Sequence, residues 1–285
     1  MCRADRGVVL GLHRSDPDRA LLEHALNLGV SGIDTAYNYR GFTTHRALAR
    51  TAADLIGDFT LSTKVGYFPS GTGERPVHSL DPDRLRAAVE RSAEDLGRSP
   101  DVVFLHNPEL ALTGLDPAEA REKLAVASMA LADSVRSGLC KAWGIATWDP
   151  RPVRAAIEHG AASLQPGFLL LRAGLTVAAP ILDAAEHLCR ILDIAPEKRW
   201  GMSPFSGTTT DPAWSALDLR AFFAADQECS TPQAAFRLAY ELPQVSRVAV
   251  STSNSTHLQE LVAATRLTIR GEAVSRYRNL VDKGP

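Results

Sequence analysis

An aspartate, a tyrosine, a lysine and a histidine in the first half of this chain, Asp34, Tyr39, Lys64 and His106, carry groups suited to proton transfer to an oxygen. A free phenol, with a pKa of about 10, is a slow acid at neutral pH, and an ammonium beside it favours the phenolate and lowers that value. Lysine is scarce here: besides Lys64 there are only Lys123, Lys141, Lys198 and Lys283, among 31 basic residues. A lysine rather than an arginine in such a set points to a compact ammonium whose proton affinity matters. Blander readings stay open. Asp34 and Lys64 alone are equally an ion pair joining two strands, and His106 alone reads as a core histidine satisfied by backbone groups. An amine flanked by a carboxylate also suits Schiff-base chemistry at Lys64.

What must position these groups is legible in the hydrophobic pattern. Short apolar or β-branched runs alternate with longer amphipathic ones. Strands are expected at Val8–Leu12, Gly32–Ala36, Thr60–Val65, Asp101–His106, Lys141–Thr147, Ser163–Leu171, Arg199–Phe205 and Val245–Ser251. Asp16-Pro17, Asp81-Pro82, Asp116-Pro117 and Ser230-Thr231-Pro232 place a capping side chain before a proline suited to a first helical turn. Gly29, Gly97, Gly138 and Gly160 stand where a left-handed residue would end a helix. Eight strand-then-helix units predict an α/β chain closed as a (β/α)8 TIM barrel, one domain over residues 1–285. Extra helical elements are expected after the seventh strand, from Gly207 to about Gln227, and at the C-terminus over Gly271–Pro285. An open doubly wound sheet would carry a GxGxxG loop after its first strand, and Val8-Val9-Leu10-Gly11-Leu12-His13 has none.

In a barrel the chemistry stands at the C-terminal strand ends. Those positions are Asp34, Lys64, His106, Thr147, Ser203 and Ser251, with Gln165 in the sixth strand and Tyr39 in the loop beyond the second. Three consecutive strands therefore present Asp34, Lys64 and His106 to one mouth.

Composition narrows the function. With 285 residues, 45% hydrophobic and 22% charged, the chain is globular rather than disordered or collagen-like. A net charge of −2 gives no field that would draw nucleic acid or an anionic membrane. No apolar run reaches the roughly 18 to 20 residues of a membrane span, and Met1–Arg6 lacks a signal-peptide core. Cys2, Cys140, Cys189 and Cys229 form no CxxC pair, and no strand end carries HxH or paired carboxylates, so no metal is expected. The expectation is a cytoplasmic protein, a monomer or small homo-oligomer, acting on a small molecule.

The motifs themselves resemble a known family. Gly32-Ile33-Asp34-Thr35-Ala36 followed by Tyr39, then Ser62-Thr63-Lys64-Val65-Gly66, then Leu105-His106-Asn107-Pro108-Glu109, are similar to the catalytic segments of the aldo-keto reductases. Ser137–Ile145 resembles the approach to that family's fifth strand, and the likeness runs over nearly the whole chain. The resemblance implies an NAD(P)(H)-dependent oxidoreductase that reduces an aldehyde or ketone, a sugar-derived or natural-product keto group among the candidates. It implies Tyr39 as proton donor, Lys64 as the cation lowering its pKa, Asp34 as the partner of Lys64, and His106 as the group orienting the carbonyl. Tyr37, Trp148, Phe168, Phe205 and Trp214 are then candidate walls of the substrate pocket.

The same resemblance assigns a cofactor set. Thr147 and Gln165 would hold the carboxamide, with Ala146 where the family usually has a serine; Met202 replaces a stacking aromatic. Ser203, Ser251 and His257 fall on phosphate-facing positions, and Glu260 on an adenine contact. NADP(H) is implied. NAD(H) stays open, because Ser251 and His257 stand where basic residues usually grip the 2′-phosphate, leaving Arg247 or Arg266 to substitute. The alternative function is a non-reducing relative: a cofactor-binding regulatory subunit, or a barrel enzyme with another reaction such as Schiff-base chemistry at Lys64.

Overall fold

The computed structural model describes residues 6–13, 15–71, 75–158 and 165–282. Eight parallel strands close on themselves: β1 (Gly7–Gly11), β2 (Gly32–Asp34), β3 (Thr60–Val65), β4 (Val102–His106), β5 (Ala142–Thr147), β6 (Phe168–Arg172), β7 (Arg199–Met202) and β8 (Arg247–Val250). Each strand pairs with its chain neighbour, and β8 returns to β1 with Gly7 opposite Arg247. This is the (β/α)8 barrel that the alternating pattern predicts.

The strands are apolar on both faces because both are covered. One alternate set, Val9, Val102, Phe104, Ala146, Leu170, Trp200 and Ala249, fills the barrel interior. The other set, including Val103, Leu105, Ile145, Leu169 and Leu171, packs outward on the helices. Gly144 marks the tightest point of the lining: a Cβ there would sit 2.5 Å from the Phe168 carbonyl oxygen and 2.8 Å from the Phe104 ring.

The longer helices are α1 (Arg19–Asn27), α2 (Thr44–Ala52), α3 (Pro82–Leu96), α4 (Pro117–Arg136), α5 (Pro150–Glu158), α6 (Ala179–Ile191), α7 (Thr231–Leu238), α8 (Ser255–Ala264) and α9 (Gly271–Asp282). In α3, Leu85, Ala88, Val89, Ser92 and Leu96 recur at helical spacing and are buried against the sheet; burying Leu85 or Val89 contributes about 1.5–3 kcal/mol each. Asp81 and Asp116 cap α3 and α4 through the Arg84 and Ala118 amides, and Ser230 with Gln233 forms a capping box on α7.

Some expectations shift. The cap of α1 is Asp18, which accepts from the Leu21 amide, rather than Asp16. The sixth strand begins at Phe168, not at Ser163, a position outside the described residues, as is Gly160. After β7 only a helical turn at Pro212–Ser215 and a 3-10 turn at Arg220–Phe222 appear. The C-terminal segment is the full helix α9. An unforeseen hairpin, Tyr67–Phe68 with Val77–His78, follows β3.

Candidate active site

The alternation that fills the barrel also builds its mouth. Asp34, Lys64 and His106 share the inward face of β2, β3 and β4, and all three are buried. The Asp34 carboxylate is held at both oxygens: the Ser62 hydroxyl donates to Oδ1 at 2.8 Å, and the Lys64 ammonium pairs with Oδ2. Lys64 Nζ also donates to the Thr35 carbonyl at 2.9 Å and to the Tyr39 phenol oxygen at 3.3 Å. Tyr39 is turned into this position by an unusual backbone. Arg40, Gly41 and Phe42 follow it at φ 52°, 62° and 67°, two of them side-chain-bearing residues in the left-handed region.

The protonation states follow from burial. For Lys64, burial works against the charge, but the Asp34 carboxylate and the Tyr39 oxygen more than restore it, and its pKa is raised. For Tyr39, burial outweighs the nearby Lys64 cation, and the pKa is raised above the ordinary 10. Lys64 pulls in the expected direction, both by its charge and by its hydrogen bond, but burial of the phenol is the larger effect and reverses the expected net fall. His106 is driven well below 6.5 by burial first, then by Lys64, His78 and His13, so its imidazole is neutral.

A second ring of residues surrounds this group. The His13 ring lies 4.9 Å from Tyr39, and the Tyr67 ring lies 4.9 Å from His106. Asn107 Nδ2 donates to the Tyr67 hydroxyl at 3.0 Å. His78 Nε2 lies 2.8 Å from the His106 carbonyl, so the hairpin after β3 bears directly on β4. Gly66, at φ 146°, is required here: a Cβ would come 2.9 Å from that same carbonyl. Sequence reading missed His13, Tyr67 and His78; the aromatic Tyr67 right after Gly66 was the available signal.

A cavity of about 480 Å³ opens over these side chains, lined by all four of Asp34, Tyr39, Lys64 and His106. Met202, Ser203 and Ser251 also line it, on the opposite side of the ring. Four other expected residues do not. Thr147 faces outward on β5, and its hydroxyl donates to Glu109 Oε2 at 2.8 Å. Glu109, buried in the loop after β4, also accepts the Trp148 amide at 2.8 Å and so ties that loop to the end of β5. Gln165 precedes β6 and lies exposed by its N-terminal end, away from the mouth; the register sets Leu170 beside Ala146. His257 and Glu260 are exposed on α8 beyond the cavity. At the start of α8 the Asn254 side chain already accepts from the Thr256 and His257 amides.

Of the candidate walls, Trp148 and Phe205 line the cavity. Phe168 packs inside the barrel on Trp200, Trp214 packs behind Phe205, and Tyr37 packs on Phe42 away from the mouth. One cation escaped the sequence reading. Arg172, the last residue of β6, lies with its guanidinium 5.4 Å from the Trp148 ring centre and donates from Nη2 to Ser206 Oγ at 3.0 Å. Its Nε is buried without a partner. Ser206 and Gly207, at φ 51° and 110°, curl the loop after β7 toward it.

Among the described residues no cluster of three His, Cys, Asp or Glu side chains could hold a metal ion. Among them, too, no helix is long and apolar enough to cross a membrane.

Residues 13–187 match the model of the Aldo/keto reductase family. No curated protein matches the sequence. Solved structures extend the likeness over the whole barrel. An aldo-keto reductase from Bacillus halodurans, in its holo form, superposes with a TM-score of 0.74 at 16% identity, covering 96% of this chain and 91% of that one. An aldo-keto reductase from Klebsiella pneumoniae in complex with NADPH gives 0.70 at 17% identity, over 97% and 91%. Aldose reductase from Giardia lamblia gives 0.68 at 17% identity, over 98% and 93%. At these identities the structures bear on the fold alone.

Proposed function

The chain belongs to the aldo/keto reductase family, and from that premise we propose that it is an NADP(H)-dependent carbonyl reductase with Tyr39 as the proton donor. The observation that carries the reading is the unbroken chain of contacts from Ser62 through Asp34 and Lys64 to the Tyr39 hydroxyl, ending in a cavity beside His106.

The mouth fits a nicotinamide dinucleotide at its inner end. It offers polar atoms that the protein leaves buried and unsatisfied, the Arg172 Nε and the His106 Nδ1, as a site awaiting a polar ligand does. Arg172 and the Ser203–Gly207 loop would hold the diphosphate, and Met202 would lie against the nicotinamide face. Seating a carboxamide against Ala146 and Leu170 would rely on backbone groups. The start of α8, Ser251-Thr252-Ser253-Asn254-Ser255, carries no lysine or arginine for a 2′-phosphate; the preference for NADP(H) over NAD(H) draws on the family and on the NADPH bound to the Klebsiella relative. The cofactor supplies the hydride.

Tyr39 holds its proton at neutral pH because its pKa lies above 10. As negative charge grows on the carbonyl oxygen, the phenol gives that proton up, and the Lys64 ammonium stabilises the phenolate left behind. Asp34 keeps Lys64 protonated and pointed at Tyr39. Neutral His106 orients the carbonyl by a hydrogen bond without competing as an acid. The crowded Lys64 amine, protonated and held by three oxygens, is a poor Schiff-base nucleophile, which favours reduction over that alternative.

A second reading, a cofactor-binding protein without turnover, draws on the engagement of Thr147 by Glu109. Fluorescence titration with NADPH and with NADH, followed by a carbonyl panel with Tyr39→Phe as control, tests both. Saturable binding with Tyr39-dependent turnover supports the reductase, binding without turnover the second reading. Absence of binding in folded protein overturns both.

A further inference from the structure

A second cavity, of about 600 Å³ and larger than the catalytic one, opens at the other end of the barrel. It lies where β1, β7 and β8 begin, between α6, α9 and the loop that leads into β8. Five arginines line it against two glutamates. Glu241 takes Arg237 at 2.9 Å and Arg6 at 3.4 Å, and Glu186 takes Arg278 at 2.6 Å. That leaves Arg190 and Arg199. Arg199 spends its Nε on the Ile194 carbonyl at 2.8 Å, and among the described residues no carboxylate pairs with either guanidinium.

An excess of positive charge in a concave site is costly. The half-buried Arg199 stands by walls that include Arg237 and Tyr240, each only 1% exposed, so water screens its charge less than on an open surface. Anchoring of α9 does not draw on these two cations, since Arg278 on Glu186 and the Tyr277 hydroxyl on the Leu175 carbonyl already tie it down. Guanidinium groups are also the cations whose planar fork matches phosphate and carboxylate oxygens. The volume lies within the usual range of small-molecule sites.

We propose that this cavity is a binding site for a compact polyanion, a molecule bearing two adjacent phosphate or carboxylate groups, held chiefly by Arg190 and Arg199. The site is separate from the catalytic mouth and rests on no reading of it.

The test is calorimetric titration at low salt with inorganic pyrophosphate and, separately, citrate, with and without saturating NADPH. The Arg172→Met variant supplies the same control of the mouth without a nucleotide. The expected result is one site that persists with NADPH present and in Arg172→Met. In the Arg190→Met, Arg199→Met double variant it weakens about ten-fold or more, as loss of charge-assisted hydrogen bonds requires. Arg190 is exposed on the last turn of α6, so Arg190→Glu reverses the charge without disturbing the core and weakens binding as well. Tighter binding of one anion assigns the phosphate or the carboxylate class. No binding of either anion overturns the proposal. So does affinity unchanged in both variants, or binding abolished by NADPH or by Arg172→Met.

Discussion

The Lys64 ammonium stands 3.3 Å from the Tyr39 hydroxyl, yet the phenol holds its proton more tightly than a free tyrosine does. Burial of the phenol outweighs the cation, much of whose charge is matched by Asp34. The proposed reduction uses the protonated phenol. The rate should therefore stay level from neutral pH to about 10 and fall only beyond it, with no acidic limb near 6.5 from the neutral His106. A pH profile of kcat/KM checks this; a midpoint clearly below 10 would show that Lys64 wins.

Tyr39→Phe removes the proposed proton donor and leaves the cavity shape. Turnover should fall by about a hundred-fold or more while NADPH affinity changes little. An equal loss of nucleotide binding would assign Tyr39 a structural part instead.

Asp34 and Lys64 form a buried pair, and removing one partner strands the other charge. Asp34→Leu or Lys64→Met alone should cost about 3–5 kcal/mol of stability, and the double replacement should recover much of it. Urea denaturation of the three variants measures this. Equal loss in single and double variants would mean the pair contributes through packing alone.

His45 on α2 lies 2.9 Å from the Thr63 hydroxyl, and burial, partly opposed by Asp95, holds its pKa at about 4. A lowered histidine pKa means that the unfolded chain takes up a proton, as pH falls through 6.5, before the folded one can. Stability is therefore lost between about pH 6.5 and 4, by up to about 3 kcal/mol. His45→Gln should flatten that part of the stability curve. A wild-type slope retained in the variant would point to His106 or His78, both lowered by burial.

Arg172 sits by Trp148 and the Ser206 loop, where a diphosphate common to both nucleotides would lie. Arg172→Met should loosen NADPH and NADH alike, by about ten-fold. Loosening of NADPH alone would place the 2′-phosphate there, and no change would remove Arg172 from the cofactor site.

Much of the site was legible because it depends on strand ends. Asp34, Lys64 and His106 terminate runs whose period-two alternation sets their facing, and the structure keeps that alternation. The same rule explains the misses. Thr147 stands at the expected strand end but falls on the outward parity, where Glu109 claims it. Gln165 precedes by three residues the strand expected to contain it, which puts it at the opposite end of the barrel. Parity and strand start depend on pairing partners, and one sequence window does not contain them.

Local pattern thus determined the barrel and the strand ends that carry Asp34, Lys64 and His106, because hydrophobic alternation and capping act over a few neighbouring positions, while Tyr39 was singled out from Tyr37 by the spacing of the family it resembles. Tertiary structure decided the rest. The raised pKa of Tyr39 comes from burial by distant segments. The meeting of Arg172 with Ser206 spans 34 residues, and the arginine-lined floor joins residues from Arg6 to Arg278. Desolvation and long-range charge arise only once the chain has closed on itself.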